Sequence, residues 1–168
     1  MNKLTKCSTS IFLLLFLFVC SQPSFSQNAD IVGKTTSEEV REQYKIFDIY
    51  TKRYSPNSES LKYLAEIQDS VQIFVLFGTW CHDSKKQIPA FIKTIELAQN
   101  PLINVEYTGV SRKKNEPNEI LERWMIKRTP TFIIYRNGQE YGRIIEEPVH
   151  SMEQDLVSIL KSETTSEH

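Results

Sequence analysis

Apolar positions recur along this chain with two periods, and the switches between them divide it into elements. Between Ser37 and Tyr54 the residues Val40, Tyr44, Phe47 and Tyr50 fall at helical spacing, with Glu38 and Glu39 in the first turn. A helix is expected there, with those tyrosines packed into the core. Ser55, Pro56 and Asn57 interrupt the pattern, and Ser58 is placed to cap a second helix with Leu61, Leu64, Ala65 and Ile67 on one face. Val71–Phe77 is a continuous apolar run rich in Val, Ile and Phe, as in a central strand covered on both faces. Ile88, Phe91, Ile92 and Ile95 then mark a helix from Asp83 to Ala98. Pro89 lies inside it, which removes a backbone hydrogen bond and predicts a kink. Ile103–Val110 reads as a second strand, Asn115–Lys127 as a helix carrying Ile120, Leu121 and Trp124, and Thr131–Tyr135 as a third strand. Asn137 and Gly138 suit a type I′ turn into a last strand, Gln139–Ile145. Met152, Leu156, Ile159 and Leu160 define a final helix over Ser151–Leu160.

The order is α/β: a central mixed sheet flanked by helices, with an extra N-terminal helix. Strands joined through helices are expected parallel, and the terminal hairpin is expected antiparallel. The small, polar stretch from Asn28 to Thr36 is expected to be frayed, and the polar tail over 163–168 disordered.

Composition narrows this picture. The chain has 168 residues, 40% hydrophobic and 24% charged, enough for one ordinary core. The net charge is -1, and the longest basic run is the Arg112–Lys114 triplet, so composition carries no footprint for nucleic acid. The first residues differ from the rest: Lys3 and Lys6 precede an apolar run from Ile11 to Cys20, then a polar stretch ending in Ser24, Phe25 and Ser26. That is the pattern of a secretory signal peptide over 1–26, cut after Ser26, and it predicts a secreted or periplasmic protein. The run is about half the ~20 residues needed to span a bilayer, so a retained membrane span is disfavoured. Leu17–Cys20 offers a rival, a distant likeness to a lipoprotein site that would lipidate Cys20, though Val19 is bulky for it. Cleavage takes the charge from -1 to -3 and leaves Cys81 as the single cysteine, unable to form an internal disulfide.

Cys81 ends the buried strand and opens a helix, so its sulfur should lie beside the unsatisfied N–H groups of the first turn, which favour the thiolate. His82 can add positive charge and Asp83 negative charge beside it, so only partial activation is expected. Cys81, His82 and Asp83, with His150 elsewhere, are all ligand types, yet three adjacent residues cannot easily converge on one ion, and neither a metal nor a cofactor is expected.

The motif Trp80–Ser84, WCHDS, resembles the active-site motif WCxxC of the thioredoxin family. The resemblance spans roughly Leu61 to Leu160 within a domain placed at 58–162, preceded by an extension over 27–57. It rests on Trp80 and Cys81 after a strand, Pro89 eight residues after the cysteine, and Thr129, Pro130 and Thr131 leading into a strand that ends at Asn137 and Gly138. The resemblance implies that Pro130 is cis, that the Thr129 backbone faces Cys81 and pairs with an extended substrate segment, and that Trp80 forms an apolar wall beside the sulfur. With His82 as a flanking residue, Trp80, Thr129 and Pro130 form the expected substrate site.

Two positions depart from the family. Ser84 stands where the second cysteine would be, and a serine cannot resolve a mixed disulfide, although its hydroxyl can donate a hydrogen bond to the Cys81 thiolate. Val75 stands six residues before Cys81, where thioredoxins usually carry a buried aspartate that serves the second thiol. Cys81 and Ser84 are thus the expected catalytic pair of a monothiol exchange protein, acting as an isomerase or deglutathionylase on protein disulfides or low-molecular-weight thiols. The alternative is a binding module that holds an extended segment near Trp80 and Thr129 without turnover.

Overall fold

The computed structural model describes residues 29–162, and the leader, its cleavage position, the rival lipid site at Cys20 and the polar tail lie outside them. The elements are β1 (Gly33–Thr35), α1 (Ser37–Gln43), α2 (Lys45–Arg53), α3 (Ser58–Glu66), β2 (Val71–Phe77), α4 (His82–Ala98), β3 (Ile103–Gly109), α5 (Asn118–Arg123), β4 (Thr131–Arg136), β5 (Gln139–Ile145) and α6 (Met152–Lys161). The sheet order is β1-β3-β2-β4-β5.

The central strands form where apolar residues run without interruption. β2 lies parallel to β3, with Val75 opposite Tyr107, and antiparallel to β4, with Val75 also opposite Phe132. The direction of β4 departs from the expectation that helix-linked strands run parallel. The link through α5 carries the chain past β3 to the far side of β2, where it enters reversed. The turn at Asn137 and Gly138 has positive φ at both residues, 50° and 82°, as a type I′ turn requires, and β5 returns antiparallel with a register shift between Ile134 and Tyr135.

Phe47, Phe77, Phe91 and Phe132 are fully buried, with Phe91 and Phe132 centroids 5.1 Å apart. Each such ring contributes about 1.5–3 kcal/mol by leaving water. Val40 and Phe47 from the N-terminal helices share this core with Val75 and Ile88, so the N-terminal segment packs against the sheet unit.

The local differences from expectation have identifiable causes. The stretch before α1 is a strand, because Gly33–Thr35 pairs antiparallel with Tyr107–Gly109. Gly109 permits that approach: a Cβ there would fall 2.3 Å from the Ile31 carbonyl oxygen. The single helix expected over Ser37–Tyr54 is two. Thr36 caps α1, its hydroxyl accepting from the Glu39 N–H at 3.1 Å while the Glu39 carboxylate accepts from the Thr36 N–H at 3.0 Å. Tyr44 then leaves the helix at φ -124° and ψ 93°, which shifts the helical phase, so Tyr50 is exposed and Thr51 is buried in its place. Asn57, not Ser58, caps α3 by accepting from the Ser60 N–H, and Ala65 faces outward while Ile67 is buried just past the helix end. The helix expected over Asn115–Lys127 shrinks to Asn118–Arg123. Pro117 disfavours helical backbone at Glu116, and Met125 adopts φ 50°. α4 runs continuously through the buried Pro89.

Candidate functional site

β2 delivers the chain to the site through Gly78, Thr79 and Trp80. The Cys81 N–H donates to the Gly78 carbonyl at 3.0 Å, closing a turn, and Cys81 becomes the N-cap of α4 with its own carbonyl accepting from the Lys85 N–H at 3.2 Å. Its side chain does not cap the helix; the half-buried thiol donates to the Thr129 carbonyl at 3.1 Å. The Thr129–Pro130 peptide is cis. The Cys81 sulfur therefore lies against the backbone of the loop that precedes β4.

That loop is held from both sides. The Thr131 hydroxyl donates to the Arg128 carbonyl at 2.7 Å, the Glu146 N–H donates to the Pro130 carbonyl at 2.7 Å, and the Arg128 guanidinium meets the Glu146 carboxylate at 2.6 Å. Glu146 adopts φ 63°, a left-handed conformation uncommon for a residue with a side chain.

Trp80 folds back over Gly78, where a Cβ would come within 2.6 Å of the indole, and its Nε1–H donates to the Val110 carbonyl at 3.0 Å. The ring is thereby fixed between the cysteine turn and the end of β3. Thr79 is buried and donates from its hydroxyl to Asp30 at 3.1 Å. His82 begins α4 with an exposed side chain.

Ser84 is fully buried and its hydroxyl oxygen accepts from the Gly78 N–H at 3.2 Å. The sequence offers this hydroxyl as a donor to Cys81. In the structure its oxygen serves as the acceptor of the Gly78 N–H, because the first turn of α4 carries it inward toward the end of β2. Val75 is fully buried in the core, so the position of the family aspartate is apolar here. Among the described residues no group of three or more His, Cys, Asp or Glu side chains is arranged to hold a metal ion, and no helix is long and apolar enough to cross a membrane.

Thr129 is 2% exposed, and its hydroxyl oxygen has no hydrogen-bond partner among the described residues. An unpartnered buried hydroxyl carries a desolvation penalty. Thr129→Val removes the hydroxyl and keeps the β-branched shape, so we expect a gain of about 1 kcal/mol in urea unfolding. A clear loss instead would show that the hydroxyl is hydrogen-bonded in solution.

Four contributors were not visible in the sequence. Asp30 sits in a stretch that reads as frayed, Glu146 takes a left-handed conformation without being Gly or Asn, and Arg112 and Lys114 approach Trp80 only through the fold. For Asp30, the Gly33–Thr35 pairing was the missing clue.

A parallel β2-α4-β3 unit with a cysteine at the helix start, set against a cis-proline loop, defines a thioredoxin architecture. The chain belongs to the thioredoxin family, whose model, described as Thioredoxin, matches residues 29–161. Thioredoxin H9 of Arabidopsis thaliana is 29% identical over 88 residues, covering 51% of this chain and 56% of that protein. Putative thioredoxin-5 of Dictyostelium discoideum is 33% identical over 89 residues, covering 52% of this chain and 80% of that protein. Among solved structures, a Pseudomonas aeruginosa protein of unknown function shares the fold with a TM-score of 0.55 at 16% identity, over 76% of this chain and 81% of that one. Family membership supports a redox or thiol–disulfide role in general terms.

Proposed function

We propose that this protein is an exported monothiol exchange protein that acts through Cys81. The observation that carries the reading is the pairing of a half-buried Cys81 at the start of α4 with a Ser84 that is fully buried and bonded to Gly78. The Cys81 thiolate attacks a substrate disulfide, forming one S–S bond to Cys81 and releasing the other substrate sulfur as a thiolate. No second thiol follows on the helix, so resolution falls to an external thiolate, which attacks the mixed disulfide and returns Cys81 as thiolate. Electrons balance at each exchange, and the protein undergoes no net oxidation. Such a cycle suits isomerisation of protein disulfides or removal of small-thiol adducts. Export is supported by the N-terminal sequence, with Lys3 and Lys6 before the apolar run.

Brief treatment of the protein lacking residues 1–26 with a small aromatic disulfide is expected to give one adduct, on Cys81, by mass spectrometry, and none in Cys81→Ser. Absence of the adduct on the folded protein would sink the exchange reading. A Cys81→Ser variant that kept every substrate-processing function would instead favour a module that binds without turnover.

A further inference from the structure

The basic residues that the sequence presents only as a triplet acquire a place in the fold. Arg112, Lys113 and Lys114 occupy the loop after β3, and Lys127 and Arg128 precede the cis-proline. The Lys114 ammonium donates to the Lys127 carbonyl at 3.4 Å, tying the two loops together. The Arg112 guanidinium lies 5.8 Å and the Lys114 ammonium 5.9 Å from the centroid of the Trp80 ring. Two cations therefore stand against the side chain that immediately precedes the attacking cysteine. Across residues 111–116 and 125–130 there are five cationic side chains and one acidic one, Glu116, in a chain whose net charge is -1.

Part of this charge is balanced: Arg112 faces Asp30 at 3.6 Å and Arg128 pairs with Glu146. Lys113 and Lys127 are exposed and make no ion pair among the described residues. The Asn115 and Glu116 N–H groups donate to the Ser111 hydroxyl at 3.3 and 3.1 Å, which closes the first loop and holds its charges in place. A solvated surface ordinarily intersperses both signs. Here like charges are gathered around Trp80 and Thr129, at the cost of mutual repulsion, and such a field concentrates anionic partners.

We propose that these two loops form a docking surface for an acidic segment of a protein disulfide substrate. Carboxylates flanking the disulfide would meet Lys113, Lys114 and Lys127 while the disulfide reaches Cys81. The two loops, bridged by Lys114 and the Lys127 carbonyl, present several exposed cations together, which suits a chain bearing several carboxylates better than a single small anion. A nucleic acid carries no disulfide for Cys81 to attack. The proposal rests on the exchange reading and names its substrate class.

The test uses the full chain carrying Cys7→Ser and Cys20→Ser, so that Cys81 is the single thiol, and two peptides of one sequence, flanked by glutamates in one and by glutamines in the other, each with its cysteine in a mixed disulfide with a chromophoric thiol. The rate of chromophore release on attack by Cys81 is expected to be about tenfold higher for the acidic peptide at low ionic strength, and the advantage should shrink as salt is raised. The double variant Lys113→Glu, Lys127→Glu should bring the ratio to one or below. Equal rates for the two peptides in the native protein would overturn the proposal and leave the exchange reading standing, and so would an acidic preference that the double variant preserves. Oxidised glutathione is the third substrate: if the double variant slows it as much as the acidic peptide, the surface serves a small anion and the protein-segment assignment falls. If neither peptide reacts, the exchange reading fails on its own, and peptides with serine for cysteine decide the surface. Tighter, salt-sensitive binding of the acidic form that the double variant abolishes would support it, and equal binding of both forms would overturn it.

Discussion

Replacing Ser84 with cysteine is expected to shorten the lifetime of a mixed disulfide on Cys81 by about a thousandfold or more. The two positions are one helical turn apart at the start of α4, a separation of about 5–6 Å between Cα atoms that lies inside the range a disulfide can bridge. The introduced thiol would attack the adduct from within the same turn, form a Cys81 disulfide and release the substrate as its thiol. Rapid acid quenching and mass spectrometry should show the adduct persisting in the native protein and replaced in Ser84→Cys by a species lacking the two thiol hydrogens. The substitution has a local cost, because the Gly78 N–H exchanges an oxygen acceptor for a weaker sulfur one, about 1 kcal/mol. Release should still be slower than in a full dithiol site, since Val75 supplies no carboxylate to take the proton of the introduced thiol. An adduct as long-lived as in the native protein would show that Ser84 is not what confines the chemistry to one sulfur.

The second large effect, on stability, is expected at Glu153. It is buried on the first turn of α6, where its carboxylate accepts from the Tyr54 hydroxyl at 2.7 Å, the Asn57 N–H at 2.9 Å and the Ser151 hydroxyl at 2.6 Å. One side chain thus joins the end of α2 and the cap of α3 to α6. Burial by itself would raise the pKa of Glu153, but the hydrogen bonds from Ser151, Asn57 and Tyr54 outweigh it, and the net shift is downward. Burial and the neighbouring Glu153 push the Tyr54 phenol upward, so it remains a donor across the physiological range.

Glu153→Ala strands the Tyr54 hydroxyl and the Asn57 N–H together, and a loss of about 3 kcal/mol is expected in urea unfolding near neutral pH. Glu153→Gln keeps an acceptor and should lose less. A carboxyl whose folded pKa is depressed contributes stability above its unfolded pKa and loses it as pH falls through the folded value. The gap between native protein and Glu153→Ala should therefore narrow on going from about pH 7 to about pH 3. A gap that stays constant would show that the charge of Glu153 contributes nothing and that only packing is lost.

Long, uniform patterns were readable in the sequence, and short or cooperative ones were not. The apolar run Val71–Phe77, the amphipathic α4 and the Asn137–Gly138 turn each specify their own conformation locally, and the structure forms all three. β1 could not be read in this way. Its Gly-Lys-Thr sequence has no strand pattern, and it becomes a strand because β3 offers an edge and Gly109 leaves room. The break at Tyr44 was hidden because an apolar residue at helical spacing also fits the last turn of one helix and the start of another. At the site, Trp80, Cys81 and Thr129 stood out as motif positions. A helix-start position alone did not say that the Ser84 hydroxyl would accept from Gly78 at the end of β2. Arg112, Lys114 and Glu146 reach the site through loops whose shape depends on hydrogen bonds between distant residues, which no local spacing encodes.

The sheet ends on two open rims, and both are finished in ways that discourage a second chain from adding a strand. On one side β1 is three residues long, and its Lys34 is paired with Glu106. On the other, the register of β5 slips beside Ile134 and Tyr135, and its Glu140 and Arg143 bind each other, with Arg143 also bonded to the Trp124 carbonyl. Short, charged or bulged rims are poor templates for edge-to-edge growth. The protein should therefore stay dispersed at concentrations where a long, flat and bare strand would seed aggregation.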